Sequence, residues 1–126
     1  QSKLIDYYIN SDVVVDQFGV GSSGLIGQEA MSCEKPLIQY LDKELYEKFY
    51  PEMPPILNAQ TEDEICLHIK KLINNPDLGI EVGKKSRKRI LNYHNNEKII
   101  KKYIYLYDAI ISKTKFEEIH KTINSM

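Results

Sequence analysis

Gly19, Gly21 and Gly24, with Ser22 and Ser23 among them and Glu29 a little further on, follow directly on the run Val13-Val14-Val15. The valines read as a short buried strand of a parallel sheet, apolar without alternation. The glycine- and serine-rich stretch Phe18 to Gly24 reads as a loop, and residues 24–33 as the helix that follows it. In open parallel sheets, ligands sit at the carboxyl ends of strands. A helix start placed there presents unpaired N–H groups and a partial positive charge, which suits phosphate. Glycine lets the backbone come close to such a ligand, because no side chain intervenes. Ser22 and Ser23 add hydroxyls that can cap the helix or donate to an oxygen. Glu29 lies roughly a turn and a half into the helix, where a carboxylate can accept from vicinal hydroxyls such as those of a ribose. One anion site and one diol acceptor are the pair that a nucleoside diphosphate presents. The same spacing equally fits an ordinary turn before a helix with a solvated glutamate.

The elements around this loop can be read in turn. Leu4, Ile5, Tyr8 and Ile9 fall at helical spacing and place a helix over residues 2–10. Pro36 stops the helix over residues 24–33, and Leu37 to Tyr40 reads as a second buried strand. Residues 42–49 read as a short helix and Ile56-Leu57 as a short third strand. Thr61 and Glu64 form a capping-box signature ahead of Ile65, Ile69, Leu72 and Ile73. Asn75-Pro76 ends that helix. Residues 77–92 read as a helix whose basic run, Lys84, Lys85, Arg87, Lys88 and Arg89, forms a solvated face. After a turn at residues 93–96, a final helix carries Ile99, Ile100, Tyr103, Tyr107, Ile110 and Ile111, with a break near Lys113. Strands alternating with helices predict an α/β fold, a partial Rossmann-like parallel sheet with covering helices. The expected division is a domain over 1–113 and a helical tail over 114–126.

Composition narrows the function classes. The chain has 126 residues and a net charge of -1, so no basic excess is present to neutralise a nucleic-acid backbone. Two cysteines, Cys33 and Cys66, make no disulfide framework and point to a reducing cytoplasm. Cys33 reads as core packing. His68, His94 and His120 are far apart, and no metal-ligand spacing links them, so neither a metal nor a cofactor is expected. Asp16, at a strand end, suits either a ligand contact or a hydrogen bond to the loop. No apolar run has the length of a membrane span. The chain begins at Gln1 rather than Met, as a piece of a longer protein would.

The segment Asp16-Gln17-x-x-x-Gly21-x-x-Gly24-Leu25-x-x-x-Glu29-Ala30-Met31-x-Cys33-x-Lys35-Pro36-Leu37-Ile38 resembles the donor-site motif of retaining family-4 glycosyltransferases of the GT-B fold. Thr61 to Glu64, Asn75-Pro76, and Gly83 to His94 with Arg87 and Arg89 continue the likeness, which spans about residues 5–112. The resemblance implies that this is the C-terminal, donor-binding part of such an enzyme. It assigns the ribose hydroxyls to Glu29 and the donor diphosphate to the amides around Gly24 and Leu25, beside Gly21, Ser22 and Ser23. The family's first glutamate contacts the donor sugar, and Gly21 stands at that position. Glu34 replaces the family's glycine after Cys33, a change expected only to alter a turn. The implied partners are a nucleotide-diphosphate sugar and a glycan or lipid-linked acceptor, with no nucleic acid. Transfer would retain anomeric configuration. Any peripheral membrane association would run through a separate N-terminal domain. Two other readings fit the architecture: a nucleotide-sugar epimerase, for which no acid/base residue stands out, and a non-catalytic nucleotide-binding remnant.

Overall fold

The computed structural model describes residues 2–126. Its elements run α1 (Ser2–Asn10), β1 (Val14–Val15), α2 (Leu25–Ser32), β2 (Leu37–Gln39), α3 (Lys43–Glu47), β3 (Leu57–Asn58), α4 (Glu62–Asn74), α5 (Pro76–Tyr93), α6 (Asn96–Ile111) and α7 (Phe116–Ser125). The chain divides into two compact units after Ile90.

The first unit is built on a parallel sheet of order β1-β2-β3. Val14 pairs with Leu37 and Val15 with Ile38, while Ile38 pairs with Leu57 and Gln39 with Asn58. Short strands are extended by single bonds, Asp16 N–H donating to the Ile38 carbonyl and Ala59 N–H to the Gln39 carbonyl. The Asn58 side chain brackets Leu41, accepting from its N–H at 2.7 Å and donating to its carbonyl at 3.0 Å.

Successive residues of a strand point to opposite faces, so Leu37 and Ile38 feed different cores. Leu37 joins Tyr8, Ala30, Met31 and Ile90, with Val14, Cys33 and Ile56 packed at the edge. Ile38 joins Leu57 and Ala59, with Val13, Phe18, Ile65 and Leu72 alongside. Only β2 is buried along its whole length. The valine run is not a buried strand as its composition predicts: Val15 is 46% exposed. The reason is position, since β1 is an edge strand with one neighbour. The third strand starts one residue later than its apolar pair suggests.

α4 begins as the capping box predicts. Thr61 Oγ1 accepts from Glu64 N–H, and Glu64 Oε2 accepts from Gln60 and Thr61 N–H. Those backbone donors, Gln60 first, hold the Glu64 carboxyl below its ordinary pKa. α5 starts on Pro76, where a missing N–H removes nothing from the helix.

The basic run on α5 is not a uniformly solvated face. Arg89 is only 5% exposed. Its guanidinium donates to the Glu52 carbonyl at 2.9 Å, the Glu52 carboxylate at 3.2 Å and the Tyr46 hydroxyl at 3.3 Å. It also lies over the rings of Tyr46 and Tyr50. Ser86, fully buried, donates to the Pro55 carbonyl. Arg87 donates to the Ser32 carbonyl at the end of α2. Two arginines of the run, with Ser86 between its basic residues, therefore fasten α5 to the segments it covers. Lys84, Lys85 and Lys88 are exposed as expected.

The turn between α2 and β2 carries Glu34 at φ 59, in the left-handed region. α5 crosses this turn so closely that a Cβ on Gly83 would stand 1.9 Å from the Glu34 carbonyl oxygen. Gly83 is therefore a contact glycine, required by the approach of two backbones.

The second unit holds the end of α5, then α6 and α7. Asn95 caps α6 by accepting from Glu97 and Lys98 N–H. Lys113, at φ 55, makes the expected break. Ala109 and Ile119 are its buried apolar residues.

Candidate functional site

Three helices follow three parallel strands, so α2, α3 and α4 all begin at the carboxyl edge of the sheet. Two of these starts are closed by side chains. Asp42 Oδ1 accepts from Leu45 N–H at the start of α3, and Thr61 with Glu64 closes α4. α2 begins on Gly24, and no side chain caps it. Its first-turn N–H groups are thus left for solvent or a ligand.

Gln17 shapes the loop leading to this opening. Its Nε2 donates to the Ser22 carbonyl at 2.6 Å, and its Oε1 accepts from Gly19 and Val20 N–H at 3.2 and 2.8 Å. One side chain so organises residues 17–22. In the sequence Gln17 stands in the motif without an evident role. An amide before glycines is its only signal, and a weak one.

Ser22 is exposed, and Ser23 is half-buried. Neither caps α2, contrary to the capping role their hydroxyls allow. Ser23 Oγ instead points inward. It lies with Gln39 Oε1 where a Cβ on Gly27 would stand, at 3.1 and 2.8 Å from that point. Ser23 Oγ, both amide atoms of Gln39, and Asp16 Oδ2 are buried without a hydrogen-bond partner among the described residues. Gln39 is 0% exposed. An unmet buried polar atom costs about 1–3 kcal/mol. The floor of the loop is thus polar and unsatisfied, as binding sites often are and structural cores seldom are.

Gly21 adopts φ +72 and is buried. Its carbonyl accepts from Asp42 N–H at 2.9 Å. A Cβ there would lie 2.9 Å from Asp42 Cβ and 3.2 Å from Tyr40 Cε1. Glycine suits this position, since a side chain here would be strained by the backbone conformation and crowded by Asp42 and Tyr40.

Leu25 is 76% exposed, and Glu29 stands one turn after it on the same solvent-facing side of α2. The rise of a helix puts them roughly 6 Å apart along the axis. Glu29 Oε2 accepts from the Tyr8 hydroxyl at 2.9 Å. Burial of the ring, and then the hydrogen bond to Glu29, push the Tyr8 phenol up to about 12. Glu29 opens into a cleft of about 540 Å³ between α1 and α2, lined also by Leu4, Ile5, Ile9 and Arg87. Sequence reasoning placed Tyr8 on a helix face and missed its bond to Glu29, which lies 21 positions away.

Among the described residues no group of three or more His, Cys, Asp and Glu side chains is placed to hold a metal ion. His68 Nε2 is occupied by the Asn58 carbonyl at 3.0 Å. Cys33 packs at the edge of a core and Cys66 is exposed. No helix among the described residues is long and apolar enough to cross a membrane.

The arrangement can hold an anion at the start of α2 and accept from hydroxyls at Glu29. Comparison with known proteins bears on its class. No curated protein and no solved structure matches the chain. A family described as glycosyl transferase-like matches residues 27–104. That match begins inside α2, so it includes Glu29 and the turn into β2 and leaves Gly21 to Leu25 outside it. It covers well over half of the 126 residues, and with the parallel sheet and its covering helices it fixes the assignment: the chain belongs to the glycosyl transferase-like family.

Proposed function

We propose that this chain forms the donor-binding part of a glycosyltransferase that takes a nucleoside-diphosphate sugar. The diphosphate binds the open start of α2, at Gly24 and Leu25, with Gly21, Ser22 and Ser23 forming the adjoining loop. Glu29 accepts from the ribose hydroxyls. Support comes above all from one observation: of the three helices that begin at the carboxyl edge of the sheet, α2 alone lacks a side-chain cap. The unmet polar floor beneath it is further support.

In this reading the two domains of a GT-B enzyme face each other across the donor. Residues 1–113 belong to the donor domain and 114–126 form its tail. The sugar passes with retained configuration to a glycan or lipid-linked acceptor held by the other domain, at the cytoplasmic side. Preorganised amides at α2 stabilise the charge of the departing diphosphate. Basic residues that complete that stabilisation are assigned to the rest of the protein, because Arg87 and Arg89 are committed to Ser32, Glu52 and Tyr46 and the lysines of the α5 run face solvent.

Calorimetric titration of the full-length protein with UDP, GDP and their sugars tests this reading. At least one nucleotide is expected to bind, and Glu29→Ala is expected to weaken it about tenfold, as for losing a hydrogen bond to a charged acceptor. Absence of binding, or a Glu29→Ala protein that binds like the wild type, would sink it.

A second reading, a nucleotide-binding remnant without transfer, has Gly21 behind it, since a glycine stands, in a crowded and left-handed position, where the resemblance implies a sugar-contacting carboxylate. Nucleotide binding without turnover of any sugar donor would favour it.

A further inference from the structure

We infer that Tyr8 is a positioning residue for the nucleoside: it holds Glu29 in the orientation that accepts a ribose diol and so sets a preference for ribose over deoxyribose. The inference rests on the donor-site reading above and adds a residue to it.

A glutamate on the open face of a helix has three free torsions, and fixing them costs binding affinity. Tyr8 meets that cost before the ligand arrives. Its ring is 6% exposed and belongs to the core with Ala30, Met31, Leu37 and Ile90. That core fixes where the hydroxyl stands. From there it donates to Glu29 Oε2 at 2.9 Å, a hydrogen bond strengthened by the carboxylate charge. Glu29 Oε1 makes no hydrogen bond among the described residues and is left to accept from a ligand. A phenol pushed up to about 12 stays protonated at neutral pH and remains a donor.

The surroundings fit a nucleoside. The cleft of about 540 Å³ lies within the usual range for small-molecule sites. Its wall is apolar at Leu4, Ile5 and Ile9, and its polar lining is Tyr8, Glu29, Ser32 and Arg87. A carboxylate with one oxygen bound to protein and one oxygen free recognises a hydroxyl donor, and a deoxyribose removes one such donor. A site built to hydrogen-bond a hydroxyl rejects the analogue that lacks it.

Titration of the full-length protein with UDP or GDP and the matching 2′-deoxynucleotide tests the role. The wild type is expected to prefer the ribonucleotide. In Tyr8→Phe, ribonucleotide affinity falls roughly fivefold, the scale of one hydrogen bond, while deoxynucleotide affinity barely changes. The preference therefore shrinks. In a Glu29→Gln background the same change adds nothing, because Tyr8 acts through Glu29. A purely structural Tyr8 would lower the melting temperature and weaken both nucleotides alike. A wild-type preference that survives in Tyr8→Phe overturns the inference and leaves the donor-site reading standing. The same holds for effects of the two substitutions that simply add. If the wild type binds no nucleotide at all, the donor-site reading itself fails. Should Tyr8→Phe not fold, an undiminished preference in Glu29→Gln overturns the inference together with the ribose role given to Glu29.

Discussion

α2 and α4 make an instructive pair. Each follows a strand of the same parallel sheet, and each starts at the same edge. α4 is closed at its start by Thr61 and Glu64, two side chains that satisfy each other's backbone. α2 starts on a glycine, and no side chain caps its amides. α4 buries no residue fully, and only Ile65 and Leu72 lean on the core beside it. α2 buries Gly27, Ala30 and Met31, and its far end is held by Arg87 and by the close approach of α5. A helix anchored so firmly along its length and at its back does not need a capped front. Its front is free to serve a ligand.

That contrast can be broken in three places. The largest effect is expected at the loop that frames the open start. Gly21→Glu combines a left-handed backbone with a collision at Asp42, and is expected to cost about 3 kcal/mol. Urea denaturation would measure it, and a wild-type midpoint would show that the loop is not pinned. Next, Thr61→Ala removes the cap of α4 and is expected to cost about 1 kcal/mol of stability while leaving nucleotide affinity unchanged. A loss of affinity there would mean that the closed helix also serves the site. The smallest change in stability is expected from Gly24→Ser. A Cβ at Gly24 has no neighbour nearer than 3.8 Å, so the residue fits. The hydroxyl would cap α2, raise stability by a few tenths of a kcal/mol, and compete with the diphosphate for the same N–H groups. Nucleotide affinity should fall severalfold by calorimetry. An unchanged affinity would mean that the ligand does not use the start of α2.

Local signals in the sequence carried far. The capping box at Thr61, the stop at Pro36 and the break at Lys113 each depend on a few adjacent residues, and each lies where those residues put it. Readings that depend on the whole fold went astray. Val15 is exposed because β1 lies at the sheet edge, which a run of valines does not encode. Arg89 is buried because Glu52 and two tyrosines, about 40 positions away, receive it. From its neighbours alone it looks like Lys88. In the candidate site, the placement of Gly24 before α2 and of Glu29 within it was legible because both follow from adjacent residues. Tyr8 and Gln39 were not, since each meets the site across the fold.

Asp42 serves two neighbours at once. Its N–H holds the Gly21 carbonyl, and its carboxylate caps α3. The two positions are therefore not free to vary independently over evolutionary time. A carboxylate-bearing residue at position 21 would bring its Cβ to 2.9 Å from Asp42 Cβ. Relieving the collision first would loosen the start of α3. Position 21 is in this sense tied to position 42: a side chain enters without this collision only through a coordinated pair of changes.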